Sequence, residues 1–327
     1  MEKKTISKKA PAKKVANNKE TPIQNNSPAL LADPKICLVM IVKNESKVIE
    51  RCIDSVKDYI SNWVIVDTGS TDGTQDIIKS AMKKHNIPGE LYERPWVDYG
   101  SNRTESLNLS KGIGDYRLII DADDVLSVPE YTNPFKNLDK DSYKIKILLN
   151  TLSYFRTQLV RSNQDWKYVG VLHEYISGPK DTELKEDFLN GTEMHAGVSG
   201  HTRDIKGTDK YYNDALIFEK ALLTTPKEDL PIDLERRYVF YLAQSYRDAN
   251  MPERSIEAYE KRIALGGWDE EVYISRYWIA RQKQNLGRPE EEVIDAYMKA
   301  WEFMSKTYPN VKEAYDKKLW AFIFSYR

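Results

Sequence analysis

The sequence predicts an α/β fold, an open and mainly parallel sheet with helices on both faces, followed by a region built from helices alone. Three observations carry this. Continuous apolar runs of strand length recur with amphipathic stretches between them, the pattern of a sheet buried on both sides. Polar residues end those runs abruptly at Lys43-Asn44-Glu45, Asp67-Thr68-Gly69-Ser70 and Asp121-Ala122-Asp123-Asp124. From about Lys210 helices dominate, and two segments resemble each other at an offset of about 37 residues.

The first run, Ile36-Cys37-Leu38-Val39-Met40-Ile41-Val42, has no polar alternation and reads as a strand covered on both faces. Asn44 is the candidate cap of the helix that follows, in which Val48, Ile49, Cys52, Ile53, Val56 and Tyr59 share a face. Trp63-Val64-Ile65-Val66 gives a second buried strand, and Ile77, Ile78, Ala81 and Met82 a second amphipathic helix. Glu90 to Glu93 is a short third strand, Ser101 to Leu109 a third helix, and Leu118-Ile119-Ile120 a fourth strand. Beyond the aspartates the rhythm breaks. Ser142 to Asn150 alternates around Tyr143, Ile145, Ile147 and Leu149, and short strands are expected near Gln158 to Arg161 and Tyr168 to Leu172. This stretch is α+β in character.

In the helical part, Tyr241-Leu242-Ala243-Gln244 through Ala258-Tyr259 matches Trp278-Ile279-Ala280-Arg281 through Ala296-Tyr297. Small residues at these spacings let two helices approach, as in hairpins of the tetratricopeptide type. The expected organisation is a disordered, Lys-rich tail over 1–33, a sheet domain over 34–207, and a helical region over 208–327 packed on it.

Composition narrows the partners. The 327 residues are 41% apolar and 30% charged with a net charge of −1, which gives no global electrostatic reason to expect nucleic acid or an anionic membrane. Cys37 and Cys52 lie in apolar patterns without metal-ligand spacing and read as reduced core thiols. No stretch approaches the roughly 18 to 20 consecutive apolar residues of a membrane span, and the N-terminal lysines precede no apolar core. A soluble, cytoplasmic protein is the expectation.

In an open α/β sheet, ligands bind beyond the carboxyl ends of the strands, so the three polar strand ends should converge on one crevice. Three or four carboxylates gathered there repel one another, and a divalent cation is the natural compensation. Oxygen donors suit hard Mg2+ or Mn2+, commonly shared with substrate phosphates.

These residues also carry a resemblance. Leu38 to Glu45, Val64 to Thr74 and Ile119 to Leu126 are similar to the successive blocks of glycosyltransferase family 2, whose members have the GT-A fold. The likeness covers about Ile36 to Glu174, and Arg236 to Asp248 resembles the tetratricopeptide-like tail of one branch. The resemblance implies a metal-dependent, inverting transfer of a hexose from a nucleotide sugar, a UDP-sugar such as UDP-glucose first, to a hydroxyl on a glycan, lipid or protein. It implies nucleotide-sugar contacts from Val42, Asn44, Glu45, Asp67, Gly69, Arg103, Asp121, Ala122 and Asp123. Asp67 would bond the nucleobase, Asp121 would reach the ribose or the metal's water, and Asp123 would be the principal metal ligand, with Asp124 behind them. Arg103 would lie near the diphosphate.

An inverting transfer needs a base for the acceptor hydroxyl. Gly170-Val171-Leu172-His173-Glu174 resembles the His-Glu pair of this branch, which makes Glu174 the candidate base and His173 its orienter, with Asp165 and Glu193 as competitors. The third metal ligand is expected from His195, with His201 as the alternative. Trp96 and Trp166 are candidates to stack on a sugar ring or to fill the core. A nucleotidyltransferase would carry a glycine-rich basic loop after the first strand, and Lys43-Asn44-Glu45-Ser46 is not one. A noncatalytic adaptor acting through its helical tail is the other alternative.

Overall fold

The structure is a computed structural model that describes residues 33–128, 133–197 and 207–308. The N-terminal tail and His201 lie outside the described residues.

The sheet has eight strands in the order β3-β2-β1-β4-β7-β6-β10-β5. The first four alternate with helices: β1 (Ile36–Val42), α1 (Ile49–Val56), β2 (Asn62–Asp67), α2 (Thr74–Lys84), β3 (Gly89–Glu93), α3 (Tyr99–Leu109) and β4 (Tyr116–Ile119). All pair in parallel. The second half comprises β5 (Val125–Ser127), β6 (Ser142–Leu149), β7 (Leu152–Arg161) and β10 (Glu186–His195). There β7 runs antiparallel to both β4 and β6, and β10 is parallel to β6 but antiparallel to β5. The mainly parallel pattern thus holds for the first half, and the change after the aspartates is the change to a mixed sheet. A separate two-stranded ribbon pairs β8 (Lys167–Val169) with β9 (Tyr175–Ser177).

The apolar runs are continuous because two cores use them. Ile36, Leu38, Met40 and Val42 of β1 join Ile49, Cys52, Ile53 and Val56 of α1 and Ile78, Ala81 and Met82 of α2 in one core. Cys37 and Val39 face the opposite way, with Val64, Leu107 of α3, Ile119, Val160 and Trp166. Period-two side-chain direction therefore buries every residue of the strand. Trp166 is 3% exposed and belongs to that second core, so it is not available to a sugar.

α3 is pinned at both ends. Asp98 caps it by accepting from Ser101 N at 2.7 Å, and buried Asn102 accepts from Val97 N and donates to Pro95 O. At the other end the buried Arg117 guanidinium donates to the carbonyls of Leu107, Arg161 and Gln164 at 2.8 Å each, a cation on the last turn of the helix. Burial lowers its pKa to about 10, which still leaves it charged.

The helical region is α4 (Thr208–Thr224), α5 (Ile232–Asp248), α6 (Pro252–Ala264), α7 (Asp269–Asn285) and α8 (Glu290–Thr307), each packed on the next. Its main core gathers Phe218, Tyr238, Phe240, Ala243, Tyr246, Ala258 and Tyr259, and Val171 and Leu172 of the preceding domain pack against it. The described residues fall into one compact unit. Among the described residues no helix is long and apolar enough to cross a membrane.

Candidate active site

The loops after β1 and β2 are latched to each other. Asn44 N donates to Ser70 Oγ at 2.8 Å and Asn44 Oδ1 accepts from Thr71 N at 2.8 Å. Glu45 N donates to Thr74 Oγ1, and Ser46 N to Asp72 Oδ2. Asn44 adopts a left-handed φ of 57°, a conformation asparagine tolerates better than most residues. It is not the helix cap the sequence suggested. Val48 stands at that position with no side-chain bond, because the Asn44 carboxamide is used across the loops instead.

Asp67 ends β2 and is 1% exposed. Its Oδ1 accepts from Gly69 N and Ser70 N at 2.9 and 2.8 Å, a turn that Gly69 permits with φ 105°. Its Oδ2 is buried with no hydrogen-bond partner among the described residues. An unsatisfied buried acceptor costs about 1–3 kcal/mol, which sets this atom apart from the satisfied groups around it.

Arg103, on α3, is the hub of the site. Its Nη2 donates to Asp121 Oδ1 at 2.7 Å, and its Nε lies 2.8 Å from Glu174 Oε1, close but not aimed for a hydrogen bond. The guanidinium also lies over the Tyr168 ring at 5.5 Å. Burial works against its charge, but Asp121, Tyr168 and Glu174 outweigh burial and raise its pKa, so it is a permanent cation. Burial likewise opposes ionisation of Asp121, yet Arg103 and Arg156 hold its carboxyl below the ordinary range. Arg156 reaches in from β7, with Nη2 3.7 Å from Asp121 Oδ2 and 3.9 Å from Asp124 Oδ2.

Asp124 is 4% exposed and accepts from Gly197 N at 2.9 Å. Burial and the neighbouring Asp121 push its pKa up to about 7, as expected when like charges share a dry site. Asp123 is braced on its main chain by Arg51 Nη2, which donates to its carbonyl at 3.0 Å. The chain leaving β10 comes so close to Asp123 that a Cβ on Gly197 would lie 2.2 Å from its carbonyl oxygen and 2.5 Å from its Oδ2.

Glu174 follows His173, whose φ of 51° is left-handed and costs about 1–2 kcal/mol for a residue with a Cβ. On one side Tyr99 N donates to Val171 O at 3.2 Å, and Gly100 leaves room for Gly170 O, which a Cβ there would meet at 2.1 Å. On the other side the segment touches α5: Tyr238 OH accepts from Val171 N, and Arg237 donates to His173 O.

Of the residues the sequence singled out, Arg103, Asp121 and Glu174 are in direct contact, with Asp123 and Ala122 in the same turn. Val42 and Asp67 stand side by side in the β1–β2 register, and Asn44, Glu45 and Gly69 form the latch above them. His195 is exposed at the end of β10, in register with Val125 and Leu148, and no described contact joins it to the aspartates. Among the described residues, no three His, Cys, Asp or Glu side chains form a metal-holding group. The competitors for the base are engaged elsewhere: Asp165 pairs with Lys111 at the surface and Glu193 with Lys146. Trp96 is 40% exposed and edge-on to Tyr99.

Arg51, Arg156 and Gly197 were not foreseen. Arg156 sits among exposed residues of β7 without a distinguishing pattern, and only its register opposite Ile145 brings it to the cluster side of the sheet.

The model of Glycosyl transferase family 2 matches residues 37–183. An uncharacterized glycosyltransferase of Rickettsia bellii is 34% identical over 125 residues, 36% of this chain and 40% of that protein. A TPR repeat-containing protein of Synechococcus elongatus is 28% identical over 150 residues, 43% of this chain and 35% of that protein. The matched stretch thus spans less than half the length of these relatives. Among solved structures, S. aureus TarS in complex with UDP-GlcNAc aligns at a TM-score of 0.42 and 15% identity, over 87% of this chain and 92% of that one. Over residues 37–183 the chain is thus similar to glycosyl transferase family 2.

Proposed function

We propose that the chain is a glycosyltransferase that moves a hexose from a nucleotide sugar, a UDP-sugar first, to an acceptor hydroxyl with inversion. The observation that carries this reading is Arg103 held between Asp121 and Glu174, beside a strand end whose Asp67 keeps a buried acceptor unpartnered. Asp67 Oδ2 accepts from the nucleobase, and the Asn44–Glu45 loop contacts the nucleoside. Glu174 takes the acceptor proton as the acceptor oxygen bonds to the anomeric carbon. The bond from that carbon to the diphosphate breaks, and its electron pair leaves with the nucleoside diphosphate. Arg103, charged throughout, stands where the negative charge grows, and fixed charge of this kind is usually the largest share of catalysis.

On this reading the carboxylates of Asp123 and Asp121 would hold a hard divalent cation. Asp123 and Asp121 offer carboxylate oxygens, and such ions commonly take one or two carboxylates and complete their shell with phosphate oxygens and water. His195 and His201 remain the candidates for a further ligand. Bound there, Mn2+ or Mg2+ supplies Lewis-acid stabilisation of the leaving diphosphate. The tetratricopeptide-like character of the helical region and a glycan, lipid or protein acceptor belong to the same reading.

The test is release of UDP from a panel of UDP-hexoses with Mn2+ present and water as acceptor. Turnover by the wild-type chain, lost by at least about a hundredfold in Asp123→Ala, is expected. Equal turnover by the variant sinks the assignment.

A further inference from the structure

We propose that Arg237 and Tyr241 of α5 are positioning residues for the base: the helical region sets the Glu174 carboxylate by holding the backbone of His173. The inference rests on the reading of Glu174 as the base. A single guanidinium grips the carbonyl immediately before Glu174, with Arg237 Nε at 3.0 Å and Nη2 at 2.6 Å from His173 O. The His173 ring stacks on Tyr241 at 4.1 Å and 13°, and Phe218 lies parallel beyond at 6.2 Å. Arg237 is itself fixed between the rings of Tyr175 and Tyr241, at 5.3 and 5.1 Å.

These contacts meet where the chain needs them. His173 holds a left-handed backbone that its own side chain does not favour, and a carbonyl turned the other way would redirect Glu174. The ribbon on either side does not supply the restraint, since β8 ends at Val169 and β9 begins at Tyr175. Between those ends the restraints come from α3 on one flank and α5 on the other. Glu174 then lies with its carboxylate at Arg103, and the helical region takes part in placing it.

The experiment uses the full chain and UDP-hexose hydrolysis in the presence of Mn2+. Arg237→Gln removes the two-pronged donor, and a kcat lower by roughly ten- to a hundredfold with the donor KM within about twofold is expected, as for a displaced base. Tyr241→Phe, which keeps the ring, is expected to retain wild-type kcat, and Tyr241→Leu to fall toward Arg237→Gln. In a Glu174→Gln background, Arg237→Gln should cost less than about twofold more, because the residue acts through the base. Amide exchange over 170–175 should rise in Arg237→Gln while α6 to α8 stay protected. A further full loss in the Glu174→Gln background, or full kcat with exchange raised, overturns the positioning role. Failure of the underlying reading looks different: Glu174→Gln itself would then hydrolyse donor at the wild-type rate.

Discussion

On the proposed function, the site has a donor wall and a base wall that are held together in different ways. The donor wall is local: the loops after β1 and β2 hold each other through bonds that join residues 26 to 29 positions apart, and they hang on adjacent parallel strands. The base wall is assembled from afar, with the bonds from Arg237 and Tyr238 spanning 64 and 67 positions. The first set of contacts lies between neighbouring loops, whereas the second joins the 170–175 segment to the helical region. On the proposed function, this difference would separate donor binding, carried by the sheet, from proton removal, carried by the sheet and helices together.

The sharpest way to break this comparison is at the aspartate turn between the walls. Gly197→Ala puts a Cβ 2.2 Å from the Asp123 carbonyl and 2.5 Å from its carboxylate, and the backbone there cannot yield as a flexible side chain does. We expect metal-dependent donor hydrolysis to fall by about a hundredfold or more, the cost of misplacing a reacting group by roughly 1 Å. Amide exchange over 170–175 should stay at the wild-type level, since α3 and α5 are untouched. A matching rise there would show that the walls are mechanically one.

The same division explains what was legible in the sequence. The donor wall is written in contiguous blocks, so the ends of β1, β2 and β4 and the residues Asp67, Asp121 and Asp123 were placed by apolar runs and their polar stops. Arg103 and Glu174 came from resemblance, and the structure brings them to within 2.8 Å. What periodicity missed is what register and long-range packing decide. β10 carries polar residues through Glu186-Asp187 and Asn190-Gly191-Thr192-Glu193 and a register shift, so it has no clean alternation, yet it delivers Gly197 to Asp123. Arg237 reads in sequence as an ordinary charge in a helix, and only the docking of α5 on the 170–175 segment gives it a target. Asn44 shows the opposite error, where a local capping rule lost to a bond with Thr71, 27 residues on.

A smaller effect separates the two contributions Asn44 makes to the donor wall. Asn44→Gly keeps the left-handed backbone but loses the bond to Thr71 N, whereas Asn44→Ala loses that bond and retains a Cβ in that conformation without the carboxamide that makes asparagine tolerant of it. Donor affinity should fall in both, with unfolding stability lower by about 1 kcal/mol in the glycine variant. The alanine variant should lose about 1–2 kcal/mol more. Isothermal titration with UDP and thermal unfolding measure the two, and equal stability of the variants would place no weight on the φ of 57°.

The smallest effect tests the base wall through pH. Burial, then Arg237 and Lys210, depress the pKa of His173 to about 4 from its ordinary 6.5. A base that binds its proton less readily when folded leaves the unfolded chain with more protons between those values. Its neutral form therefore costs nothing above about pH 6.5, and stability is lost as pH falls from 6.5 toward 4. Protonation would set an imidazolium against Arg237 and on the Tyr241 face, so the segment should loosen over that window. By surface area His173 is exposed although it packs on Tyr241, so solvent screening limits the penalty and the effect is small. Exchange over 170–175, corrected for the intrinsic rate of the unfolded peptide, should rise on acidification in the wild-type chain. His173→Asn accepts the left-handed backbone without titrating, and its exchange should be flat from pH 6.5 to 4. A parallel rise in both would assign the acid response to the carboxylates of the donor wall rather than to the histidine held by α5.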